Sequence, residues 1–181
     1  QELWGYIPPN IIGKLSTIIT TKANATNPIH GIDGSPVVKD IYFDDTPNNS
    51  AVDPRWRTVL ISGLGAGGNG YFALDITDIN NPKHLFAIEN DTLNKVVKHW
   101  DNDESLTIYG YSWGNTPPEQ YDYSKLGESW STPRIMRIKV NGKDRWVAVF
   151  GAGYNSKVAP EYGSAIFIVD LENEGKVLKR I

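Results

Sequence analysis

The 181-residue chain has no cysteine. That excludes disulfide bridges, thiolate metal centres and cysteine nucleophiles. Histidine is scarce: His30, His84 and His99 are the only three, and no two stand at the spacing of metal ligands on one helix or hairpin. No stretch approaches the roughly 20 consecutive apolar residues of a membrane-spanning helix. Neither sign of charge dominates, since 18 basic and 21 acidic residues leave a net −3. The densest basic cluster, Lys176 to Arg180, is short and interleaved with Val177 and Leu178, so nothing resembles a nucleic-acid-binding stripe. Helical periodicity is almost absent too. Leu93–Trp100 has the length for a turn or two of helix but lacks an apolar stripe.

What the chain does have is six Trp, nine Tyr and a repeat. Aromatic and β-branched residues favour strands. Arg57-Thr-Val-Leu-Ile-Ser-Gly-Leu-Gly-Ala-Gly67 leads, after a short loop, to Tyr71-Phe-Ala-Leu-Asp-Ile-Thr77. Arg145-Trp-Val-Ala-Val-Phe-Gly-Ala-Gly153 leads to Ala165-Ile-Phe-Ile-Val-Asp-Leu171 in the same way. Each copy reads as strand, glycine-rich turn, strand ending in Asp, with Gly63 matching Gly151 and Asp75 matching Asp170. Upstream, Asp33-Gly-Ser-Pro36 and Ser131-Thr-Pro133 each precede an alternating apolar run. Proline suits a strand's first residue, where no ladder donor is lost. Downstream, Asn81–Ile88 is echoed by Gly175–Ile181.

Four strands per unit is the pattern of a β-propeller blade. The expected fold class is therefore all-β, part of a β-propeller of about two four-stranded antiparallel blades plus one strand of a preceding blade. On this reading residues 1–12 form the outer strand of that preceding blade. Residues 33–89 form the first full blade, 90–129 a long polar insertion between blades, and 130–181 the second blade. Residues 13–29 and 44–55 are read as irregular connections. Two blades do not close a ring, and both ends stop on apolar residues, so the chain reads as an excerpt of a longer polypeptide.

Chemistry is harder to find. Gly65-Ala-Gly-Gly-Asn-Gly70 satisfies G-x-G-x-x-G, but a dinucleotide site needs a helix after the glycines. An alternating strand follows instead, which favours a tight hairpin. Asp40, Asp44, Asp45 and Asp53, with Asn48 and Asn49, offer oxygen ligands without the spacing of a calcium loop, and an Asx-rich turn explains them better. Asp101, Asp103 and Glu104 read as a second solvated acidic turn. His99 lies near Asp101 and Asp103, whereas His30 and His84 have no obvious carboxylate nearby in sequence. Ser35 and Ser131 read as strand-opening residues, Asp75 and Asp170 as caps of the turns that follow them. Trp4, Trp130 and Trp146 are expected to pack between blades. No catalytic, cofactor-binding or metal residue is assigned, and the chain is not read as an enzyme.

The motifs together resemble a known family. Glu2-Leu-Trp-Gly-Tyr-Ile-Pro8, Asp33-Gly-Ser-Pro36, Thr58–Thr77, Leu126-Gly-Glu-Ser-Trp-Ser-Thr-Pro133, Trp146–Asn155 and Ala165–Leu171 are similar, in order, to the C-terminal β-propeller of the PilC/PilY type IV pilus proteins. The resemblance implies a large exported bacterial protein at a pilus tip, cell surface or outer membrane. Its implied work is non-enzymatic: promoting pilus biogenesis, opposing retraction, and adhesion or surface sensing. Implied partners are pilin and minor pilins, with host-cell or surface ligands beyond them. The family also carries a Ca²⁺ loop, D-x-D-x-N/D-G, which does not occur in residues 1–181; family order places it just beyond Ile181. The competing reading is a pyrroloquinoline-quinone-type dehydrogenase propeller. Relatives of that kind often use a vicinal cysteine pair, and this chain has neither that pair nor the tryptophan-docking repeat.

Overall fold

The computed structural model describes residues 2–20, 29–43, 55–155 and 162–181. Among them are ten strands in two antiparallel meanders. The first sheet runs β1 (Val37–Tyr42), β2 (Trp56–Gly63), β3 (Gly70–Asp75), β4 (Lys83–Asp91), β5 (Val96–Trp100) and β6 (Leu106–Gly110), each beside the next. The second runs β7 (Arg134–Val140), β8 (Lys143–Gly151), β9 (Ile166–Asp170) and β10 (Lys176–Arg180) in the same up-and-down order.

The internal repeat is visible in the pairing. Gly63 faces Tyr71 across β2–β3, and Gly151 faces Ile166 across β8–β9. Asp75 faces Val59, and Asp170 faces Val147. The same four-strand unit is therefore built twice.

The two sheets stack face to face. Alternate residues of both point into one core, including Ile61, Tyr71, Phe86 and Ile88 from the first sheet and Phe150, Phe167 and Val169 from the second. Tyr71 and Phe150 stack at 4.0 Å between ring centres, and Phe167 lies 5.8 Å from Phe150. Aromatic packing of this kind contributes about 0.5–1.5 kcal/mol per pair beyond area burial. Trp146 belongs to this layer, with the ammonium of Lys39 on β1 at 5.4 Å from its ring centre. Trp130, half exposed, donates instead to Glu128.

Three expectations need correction. The expected strand does not run through residue 12: Pro9–Ile12 forms a short helix, α1, and Glu2–Pro8 has no ladder partner among the described residues. Proline removes ladder donors, and Pro9 at the first helical position is pre-set for a helix. Tyr6 and Ile11 then close a second core over the other face of the first sheet, against Leu64, Phe72 and Trp100. In the 13–29 connection, Leu15–Thr20 forms a second helix, α2. Most importantly, residues 90–129 are not one irregular insertion: their first half continues the first sheet, and residues 111–129 lead on toward the second. Asp91 accepts the amide of Asn94, Lys95 takes φ +56°, and the chain reverses into β5 and β6. Leu93–Trp100 is thus turn and strand, and the first sheet extends to Gly110.

Candidate functional site

The glycine-rich turns that mark the repeat meet at one place, a seam sewn by residues 127–131. Ser129 is buried, and its Oγ lies 2.9 Å from the amide of Leu64 and 2.6 Å from the carbonyl of Gly70. Its own carbonyl accepts the Gly65 amide at 3.3 Å. On the other side Glu128 and Tyr154 exchange a pair of backbone hydrogen bonds at 2.8 and 2.9 Å, and the Gly127 amide donates to Ala152. Ser131 continues the stitch, accepting the Gly151 amide on Oγ at 2.9 Å and the Tyr71 hydroxyl on its carbonyl at 2.8 Å. Burial pushes the Tyr71 hydroxyl well above the ordinary tyrosine range, so it remains a proton donor.

Glycine is required here by space. A Cβ on Gly63 would stand 2.4 Å from the Ser129 carbonyl oxygen; one on Gly153, at φ +85°, would stand 1.8 Å from that of Glu128. The G-x-G-x-x-G stretch is accordingly the β2–β3 hairpin, and the strand that follows it leaves no helix N-terminus for a pyrophosphate. Ser129 escapes sequence reasoning because its role depends wholly on two turns brought together from other parts of the chain.

The other singled-out residues fall into separate places. Asp75 caps the turn after β3 by accepting the Thr77 amide at 2.9 Å, and pairs with Arg57 at 3.3 Å. Asp170 accepts the Glu172 amide at 2.9 Å, the same task in the second blade. His99 is buried, not part of an acidic site: its Nε2 lies 2.8 Å from the Glu174 carbonyl and its ring packs on Tyr121. His84 is also buried, its Nδ1 2.6 Å from the Tyr6 hydroxyl. Burial lowers the pKa of both histidines from the usual 6.5. His30 has a carboxylate neighbour after all, with Nδ1 3.6 Å from Asp33. Asp40 accepts the Thr58 hydroxyl; Asp44, Asp45, Asn48, Asn49 and Asp53 lie outside the described residues.

One open groove of about 600 Å³ lies beside the Tyr6–His84 pair, lined by Arg57, Lys83, Leu85, Asn102, Asp103 and Glu104 as well as His84. Its charges are of both signs, and Arg57 is already paired with Asp75. Among the described residues no three His, Asp or Glu side chains converge as metal ligands. The arrangement holds two sheets in a fixed relation and presents turns; the Tyr6 hydroxyl, set against His84 Nδ1, is kept protonated by burial.

Comparison with known proteins decides the family. The sequence profile of the PilY1 beta-propeller domain matches residues 9–181. The chain belongs to the PilY1 β-propeller family. It is 31% identical over 181 residues to the type IV pilus biogenesis factor PilY1 of Pseudomonas aeruginosa strain PAO1, covering 100% of this chain and 12% of that protein. A PilY1 homolog of Xylella fastidiosa is 29% identical over 182 residues, covering 99% of this chain and 9% of its own length. The crystal structure of the Pseudomonas aeruginosa PilY1 C-terminal domain matches all of this chain and 26% of its own, at 29% identity and a TM-score of 0.59. The two meanders thus match a fragment of the PilY1 propeller, and the chain spans a small part of the relatives it matches.

Proposed function

We propose that this chain is a two-blade portion of a type IV pilus biogenesis factor, acting as a binding scaffold and not as an enzyme. The observation that carries the proposal is its likeness, from end to end, to proteins named for pilus biogenesis. The site chemistry agrees with a scaffold. The conspicuous glycines, serines and aspartates are engaged in turns and in the seam, and the two buried histidines are held toward the neutral form.

On this proposal the whole protein is exported and works at the pilus tip or outer cell surface, with pilin and minor pilins as its first partners. Opposing retraction, adhesion to host or other surfaces, and surface sensing are the finer roles we assign it. Any calcium that tunes it is bound outside residues 1–181. The family assignment leaves the quinone-dehydrogenase alternative without an observation in its favour.

The test is mass spectrometry of pili sheared from cells making the full-length protein, beside cells lacking the gene. Recovery at trace stoichiometry with pilin, together with loss of surface pili in the deletion, is the expected result. Absence from the sheared fraction with piliation unchanged would overturn the proposal.

A further inference from the structure

Four strands lie at the edges of the two sheets, and three carry the charges that discourage a stray strand from pairing. β1 has Lys39 and Asp40; β7 has Arg134, Arg137 and Lys139; β10 has Lys176, Lys179 and Arg180 with a register break at Val177/Lys179. The fourth, β6, reads Leu106-Thr-Ile-Tyr-Gly110: no charge, no proline and no bulge. Its phase on β5 is fixed by the bonds at either end, from the Asp101 amide to the Ser105 carbonyl at 3.2 Å and from the Tyr111 amide to the Lys95 carbonyl at 3.0 Å. With the register Val97↔Tyr109 and His99↔Thr107, the backbones of Thr107 and Tyr109 face β5. Those of Leu106, Ile108 and Gly110 therefore face outward, with no ladder partner among the described residues.

The side chains match the backbone. Leu106 is 48% and Ile108 54% exposed, and both lie on the same face of the edge. Gly110 at the third position leaves space beside them for a large side chain from a neighbour. Tyr109, on the opposite face, is anchored by stacking on Tyr121 at 5.4 Å between ring centres. Trp113, wholly exposed, stands three residues past the strand's end. Among the described residues the other three edges are defended, and this one offers donors, acceptors and apolar contact in strand register.

We infer that β6 is a strand-addition site whose occupant is an extended segment of a partner protein, uncharged at its centre and apolar at alternate positions. Five residues span only about 17 Å. That is too little surface for a dimer of globular partners, which needs on the order of 1,200 Å². It suits a peptide segment, for which main-chain hydrogen bonds give affinity and alternate side chains give selectivity.

The test uses the full-length protein and a synthetic strand peptide, acetyl-Lys-Thr-Val-Thr-Val-Thr-Lys-amide. A second peptide, N-methylated at alternate residues, has the same side chains but cannot complete the ladder. Hydrogen exchange by mass spectrometry over residues 106–110 should show rapid exchange alone and slowed exchange with the first peptide only. Ile108→Pro deletes an outward-facing amide while sparing the bonds to β5, and should weaken binding at least tenfold. Ile108→Lys, which restores the kind of charge other edges carry, should do the same without touching the backbone. Equal binding of the N-methylated peptide, or unchanged exchange with either, would overturn the inference. So would protection of these amides before any peptide is added, or a dimer by sedimentation that Ile108→Lys abolishes, since the edge would then be covered by the protein's own chain or by a second copy.

Discussion

Two glycines with nearly the same backbone separate what the seam contributes from what a left-handed residue costs. Gly142, in the β7–β8 turn, has φ +80°, and a Cβ added there would meet nothing within 4 Å. Gly153 has φ +85° and would place its Cβ 1.8 Å from the Glu128 carbonyl oxygen. An alanine at either position meets the left-handed penalty of about 1–2 kcal/mol. Only Gly153→Ala must also push Glu128 away and break its two backbone bonds to Tyr154, each contributing about 0.5–1.5 kcal/mol. Gly142→Ala should therefore destabilise by about 1–2 kcal/mol and Gly153→Ala by about 2–5 kcal/mol. Urea unfolding of the protein carrying the chain, followed by tryptophan fluorescence, gives both numbers. Equal losses from the two substitutions would refute the claim that the seam locks the blades together.

Two further perturbations follow from the same contacts. Burial holds the pKa of His84 and His99 below the usual 6.5, so the unfolded chain binds more protons than the folded one beneath that pH. Their contribution to stability is complete above about pH 6.5 and is lost as pH falls from there to the folded-state values. Replacing both with Gln should reduce the stability lost between about pH 7.5 and about pH 5, and urea melts showing an undiminished loss would contradict this. Asp75→Ala removes the Thr77 cap and the Arg57 pair, whereas Asp170→Ala removes the Glu172 cap. Each substitution is expected to cost about 1–3 kcal/mol, with piliation per folded molecule unchanged; a piliation defect without a stability defect would assign these aspartates a partner.

The blade unit is legible in the sequence because its signals are local. A β-branched run, a glycine turn and a closing Asp recur in one order, and each recurrence predicts a strand pair that the register then matches at Gly63/Tyr71 and Gly151/Ile166. Asp75 and Asp170 can be read as caps because an Asx turn bonds an amide two residues on, whatever the rest of the fold does. Leu-Trp-Gly-Tyr-Ile at the start carries an equally good local strand signal, yet it has no ladder partner among the described residues. Propensity alone does not carry the strand onward, because the two prolines turn the chain into α1 at Pro9.

The stretch 90–129 hides its strands for a different reason. They alternate, but with His99, Lys98 and Tyr109 in place of the aliphatic residues that mark a core strand, so polarity masks the period of two. His99 can be buried only because the Glu174 carbonyl of the other sheet is there to bond it and Tyr121 to cover it. Ser129 likewise bridges two hairpins that lie close together only once the blades stack. Polar residues whose partners come from the other sheet leave no trace in local pattern. In a stacked-blade fold, those residues determine how one repeat is joined to the next.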